Sequence, residues 1–140
     1  MSDMNVIYKI RMQRLQNACV RYIFNLPKDA HISQFYQNLS WLKLEEKRKL
    51  HIALMLWNIF RNKMPSYLYE KFMFRSSVNT RTMRNAEGLL QIPCHRTEKY
   101  SKSFFVNACK TWNDLNLSQI VNLSYASYKT KVKCLLLGNC

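Results

Sequence analysis

The stretch from Leu44 to Arg61, LEEKRKLHIALMLWNIFR, constrains this chain most, because its middle is apolar on almost every side. Wound at about 100° per residue, Leu50, Ile52, Ala53, Leu54, Met55, Leu56, Trp57, Ile59 and Phe60 cover nearly the whole circumference. Lys47, His51 and Asn58 leave only a narrow polar strip. Such a helix must be buried by neighbours. Glu45 and Glu46 in the first turn and Arg61 and Lys63 at the far end suit the helix dipole, and Met64-Pro65 stops the helix. A membrane span is the rival reading. It fails on length, since the uncharged run from Leu50 to Phe60 falls short of the ~20 apolar residues a bilayer needs.

Other segments carry stripes that could cover this helix. Tyr8, Met12, Leu15, Cys19, Tyr22 and Ile23 recur at steps of three and four and predict a helix whose apolar stripe packs inward. Arg11, Arg14 and Arg21 share a neighbouring face, either solvated or in contact with phosphate. Ile32, Phe35, Tyr36 and Leu39 have the spacing of a short helix, and a further helical piece follows Pro65. Ser101 to Leu115 is the cleanest amphipathic helix, with Phe104, Phe105, Ala108, Cys109, Trp112 and Leu115 on one side. Base stacking by those aromatics is the sharper reading; core packing explains the shared face better. The last stripe is Tyr125, Tyr128, Val132, Leu135 and Leu136, flanked by Lys129, Lys131 and Lys133. A basic amphipathic helix of this kind suits a membrane surface or a groove with lysines toward phosphates.

The expected fold class is therefore all-α, a single helical domain over residues 1–140. It is a small irregular helical bundle around a buried central helix (about 44–61), with further helices at about 5–24, 31–39, 66–72, 101–115 and 124–137. A long basic loop (about 73–100) has room for a short strand or hairpin, because Leu89, Leu90 and Ile92 lie between Gly88 and Pro93. A connection this long in a small domain carries function or motion. From Lys71 to Lys110 it and its flanks hold eight basic residues against two acidic ones, a net +6.

Charge sets the partner class. The 22 Lys and Arg against 8 Asp and Glu give a formal +14, which implies a polyanionic partner, nucleic acid or an acidic membrane surface. No apolar leader follows Met1, and the five cysteines form no regular framework, so an intracellular (cytoplasmic or nuclear) protein with free thiols is expected. No cofactor or metal ligand set is visible. His31 and His51 lack partners at ligand spacing, and Cys94-His95 has no second pair at zinc-finger distance. Catalytic constellations are absent too: Asp3, Asp29 and Asp114 are far apart, and Gly88 and Gly138 are the only glycines. The residues thus predict a protein that is not an enzyme.

Several blocks read together resemble a known family. RLQNACVRYIFNL (Arg14 to Leu26), LSWLKLEEKRKLH (Leu39 to His51), MPSYL (Met64 to Leu68) and IPCHRTEKYSKSFFVNACKTWNDL (Ile92 to Leu115) resemble, in matching order, the C-terminal end of the reverse transcriptase polyprotein of jockey-like non-LTR (LINE-type) retrotransposons. The likeness covers about Arg11 to Leu136. In that family an endonuclease and the polymerase fingers and palm lie upstream, and the palm's catalytic Tyr-x-Asp-Asp motif has no counterpart here. The resemblance implies a separated terminal piece, a retained fragment or a decayed copy, with the upstream polymerase domains as natural partners. Two positions depart from the pattern: Leu115-Asn116 stands where Leu-Pro is usual, and Cys94 where a basic residue or proline is common.

Two functions follow as expectations. One is a non-catalytic post-thumb module holding RNA or an RNA–DNA hybrid by its phosphates, through Arg75, Arg81, Arg84, Arg96, Lys99 and Lys102, with Lys129, Lys131 and Lys133 second. The other is a protein-interaction module docking on a polymerase without touching nucleic acid. A third, weaker candidate is peripheral attachment to anionic membranes through the terminal helix.

Overall fold

The computed structural model describes residues 6–78 and 88–138. Among them the fold is all-α: α1 (Val6–Ile23), α2 (Ser33–Asn38), α3 (Leu44–Asn62), α4 (Ser66–Tyr69), α5 (Arg75–Val78), α6 (Glu98–Ser101), α7 (Phe104–Asp114), a 3-10 turn (Leu117–Gln119) and α8 (Tyr125–Leu137). No described residue belongs to a named strand; the hairpin possibility reduces to one antiparallel bridge between Phe74 and Leu90. Two short helices, α5 and α6, stand inside the segment expected to be loop.

α3 is the element on which α4, α7 and α8 pack. It starts where the Glu46 carboxylate accepts from the Lys43 N–H at 3.0 Å and ends at Lys63 in the left-handed conformation (φ 53°). Its buried residues are Leu50, Ala53, Leu56 and Ile59, one face at steps of three. Ile52, Leu54, Trp57 and Phe60 pack half-buried on either side. The expectation of burial on nearly every side needs correction: Met55 is 41% exposed and extends the polar strip of Lys47, His51 and Asn58.

α7 meets its expectation. Val106, Ala108, Cys109, Thr111 and Trp112 are buried, and the Trp112 ring lies 4.5 Å from that of Phe60. Phe105 meets Phe72 at 4.8 Å, so these rings are core. α8 docks on α3 through Tyr128, whose hydroxyl donates to the Ala53 carbonyl at 3.1 Å, and through Trp57, whose indole N–H donates to the Leu123 carbonyl at 3.2 Å. Gly138 in the left-handed conformation closes α8.

α1 reverses its expectation. Its inward side is polar: Gln13 donates to Tyr36 Oη at 3.0 Å and accepts from the Leu44 N–H at 3.2 Å. Gln16 donates to the Leu42 carbonyl at 2.9 Å, and Tyr36 donates to Asn17 at 2.7 Å. Val20 alone is fully buried there. The stripe of Tyr8, Met12, Leu15, Cys19, Tyr22 and Ile23 faces away, with Leu15 67% and Tyr22 88% exposed. The side-chain amides win the inward face because they satisfy backbone groups in the α2–α3 connection that burial would otherwise leave unpaired.

Cys19, Cys94 and Cys109 are free thiols, as expected, whereas Cys134 is disulfide-bonded, which corrects the expectation of free thiols at that position.

Candidate nucleic-acid interface

The basic segment is held by two neighbouring residues of α7. Trp112 donates from its indole N–H to the Gly88 carbonyl at 2.7 Å. Asn113 clips Leu90 from both sides, accepting from its N–H at 2.9 Å and donating to its carbonyl at 3.0 Å. Because Leu90 is fully buried, its two peptide groups need those partners. The strand-like bridge then carries the order onward: the Arg75 N–H donates to the Leu89 carbonyl at 2.9 Å and the Gln91 N–H to the Met73 carbonyl at 2.8 Å. Arg75 is thereby tied to the segment that leads through Pro93 and His95 to Arg96.

From Arg96 the chain enters α6, capped by Thr97, whose hydroxyl accepts from the Tyr100 N–H at 3.3 Å. Arg96 and Lys99 are exposed and have no acidic partner among the described residues. Lys102 is exposed too, but its ammonium pairs with the Glu98 carboxylate one turn back. That hydrogen bond holds Glu98 below its usual carboxylate range, so Lys102 offers a partner less charge than Lys99 does. Arg75 is half-buried. Arg81 and Arg84 lie outside the described residues.

The second group does not form one patch. On α8 Lys129 and Lys133 stand about 40° apart around the axis, while Lys131 is roughly 160° or more from either, on the opposite side of the buried Tyr128–Val132 line. Lys133 is half-buried, Lys129 and Lys131 exposed. A single phosphate backbone could not run along all three. Lys71, in the turn after α4, and Lys110, on α7, are further exposed cations; their signal is position, a cation outside the apolar face, and nothing more specific.

Beside Gly88 is a cleft of about 520 Å³ lined by aromatic residues, Phe60, Tyr69, Phe74 and Trp112, together with Arg61 and Asn122. The Trp112 indole N–H is already committed to Gly88, which leaves ring edges, the Arg61 guanidinium, the Ser118 hydroxyl and the Asn122 amide as its chemistry. Among the described residues no group of three or more His, Cys, Asp or Glu could hold a metal ion, and no helix is long and apolar enough to cross a membrane. The site can offer fixed positive charge and hydrogen-bond donors to an anion.

No protein-family profile, no curated protein and no solved structure matches this chain.

Proposed function

We propose that this chain is a non-catalytic helical module that binds RNA or an RNA–DNA hybrid by its phosphate backbone. By its resemblance it is a C-terminal, post-thumb piece of a retrotransposon RNA-directed DNA polymerase, working beside the upstream polymerase domains. The observation that carries the binding reading is the charge: +14 over 140 residues, with Arg75, Arg96 and Lys99 lacking acidic partners among the described residues. Arg75 is bonded through its N–H to Leu89, next to the Gly88 and Leu90 backbone that Trp112 and Asn113 hold, and Arg96 and Lys99 follow at the start of α6. Phosphate contacts position a strand without reading its sequence, so the affinity is weak, sequence-tolerant and sensitive to salt.

The test is fluorescence anisotropy of labelled single-stranded RNAs with the full chain. Scrambled sequences should bind alike, and affinity should fall at least about tenfold between 50 and 200 mM salt. Binding indifferent to salt, or confined to one sequence, would refute the proposal.

A further inference from the structure

Where the end of α3, α4, the bridged segment and the turn after α7 meet, they leave the cleft beside Gly88, about 520 Å³ in volume and within the range of about 300–1,000 Å³ of small-molecule sites. Its lining divides into three kinds of group. Half-buried Phe60, Tyr69 and Phe74 bring aromatic rings. The Phe60 ring is inclined at 71° to that of Tyr69 and at 45° to that of Phe74, so the set presents edges as well as faces. Ser118 and Asn122 bring a hydroxyl and an amide, which both donate and accept, and neither side chain has a hydrogen-bond partner among the described residues. Exposed Arg61 brings a guanidinium, and the Lys63 ammonium lies 5.8 Å from the centre of the Tyr69 ring. Neither cation has an acidic partner among the described residues.

We propose that this cleft takes one nucleotide unit, a flat base among the rings with its edge toward Ser118 and Asn122 and its phosphate on Arg61. The three kinds of group select that ligand together. A hydrocarbon chain would strand the hydroxyl, the amide and the guanidinium, and inorganic phosphate would leave the rings without contact. A nucleobase has a π-face for the aromatic side chains and a donor–acceptor rim for the polar ones, and its phosphate supplies the negative charge that Arg61 lacks. The cleft is also continuous with the cationic segment. Phe74 lines it immediately before Arg75, and Gly88 lines it immediately before Leu89, whose carbonyl accepts from the Arg75 N–H. A strand whose backbone passes Arg75 thus brings an unpaired base beside the rings. A free nucleotide and an unpaired unit of RNA share this chemistry, and only the second rests on the phosphate-backbone reading above.

The test is equilibrium dialysis of the full chain against labelled AMP, with adenosine and ribose 5-phosphate as the two halves of that ligand. AMP should bind with a dissociation constant of about 1 mM or tighter, and each half at least about tenfold more weakly. Arg61→Gln, at an exposed position, should weaken AMP at least about fivefold and close most of its gap to adenosine. Asn122→Leu, also exposed, should weaken adenosine and AMP by a similar factor, with both variants still helical by circular dichroism. Among strands, RNA with unpaired bases should outbind a blunt duplex of the same phosphate count at equal salt, and Arg61→Gln should narrow that difference. The proposal is overturned if AMP does not bind, if ribose 5-phosphate binds as well as AMP, or if Arg61→Gln leaves AMP affinity intact. AMP binding by a chain that fails to hold RNA upholds the cleft and refutes the backbone reading alone; salt-sensitive RNA binding without AMP binding does the reverse.

Discussion

Asn113 and Gly88 do at single positions what the basic segment cannot do for itself. Removing the amide by Asn113→Ala strands both peptide groups of buried Leu90, at a cost of about 2–4 kcal/mol. A fall in the urea midpoint measures this, and a midpoint unchanged by the substitution would contradict the clip. Gly88 adopts φ +77°, and a Cβ there would meet Ser118 Cβ at 2.6 Å. Gly88→Ala should therefore destabilise by about 1–3 kcal/mol, and Ser118→Gly should restore only part, because the backbone strain remains. Cys109 reports burial through its thiol, which desolvation pushes up to about 11 from an ordinary 9. The unfolded thiol ionises first, so the contribution is fully present below pH 9 and is lost as pH rises toward 11, at about 1.4 kcal/mol per unit. Buried Tyr128, its phenol also pushed up by desolvation, adds to the same alkaline loss. Unfolding midpoints should drop across that window, and less so in Cys109→Ala. A thiol reagent on the native protein should label exposed Cys19 and Cys94 quickly and Cys109 only after unfolding.

Among the elements, α3 and α7 were readable in advance because their apolar residues recur at helical spacing and the rest of the chain supplies surfaces to meet them. What periodicity could not give is how much of α3 finds a partner. Leu56→Ala, at a fully buried position, should cost about 2–5 kcal/mol, whereas Met55→Ala on the open strip should stay within about 0.5 kcal/mol. Equal losses in chemical denaturation would mean that α3 is covered all round. In α1 the stripe was legible and its direction was not. The usual inference that apolar residues face inward failed because Gln13 and Gln16 gave the backbone between α2 and α3 the hydrogen bonds it lacked, while Asn17 accepts from the Tyr36 hydroxyl of α2. Between 73 and 100, hydrophobic period carries no signal. The segment's described backbone at Gly88 and Leu90 is held instead by Trp112 and Asn113, more than twenty positions away in sequence.

Over the whole molecule, the helical class follows from the stripes and the scarcity of glycine and proline. The candidate interface was legible mainly as a surplus of charge. Helical spacing already carries the pairing of Lys102 with Glu98 one turn back and the separation of Lys131 from Lys129 and Lys133 around α8. It does not carry the bridge that ties Arg75 to the segment leading to Arg96, because that contact joins residues distant in sequence. The resulting account is a helical body with a cationic segment whose Gly88–Leu90 end is held by α7, and with exposed apolar residues along α1. The most direct test of the central claim is the salt dependence of single-stranded RNA binding by the full chain, compared with Arg75→Gln, Arg96→Gln and Lys99→Gln combined. If these three residues each neutralise a phosphate, the variant's slope of log affinity against log salt should be shallower by about 2; an unchanged slope would contradict the assignment of phosphate binding to this segment.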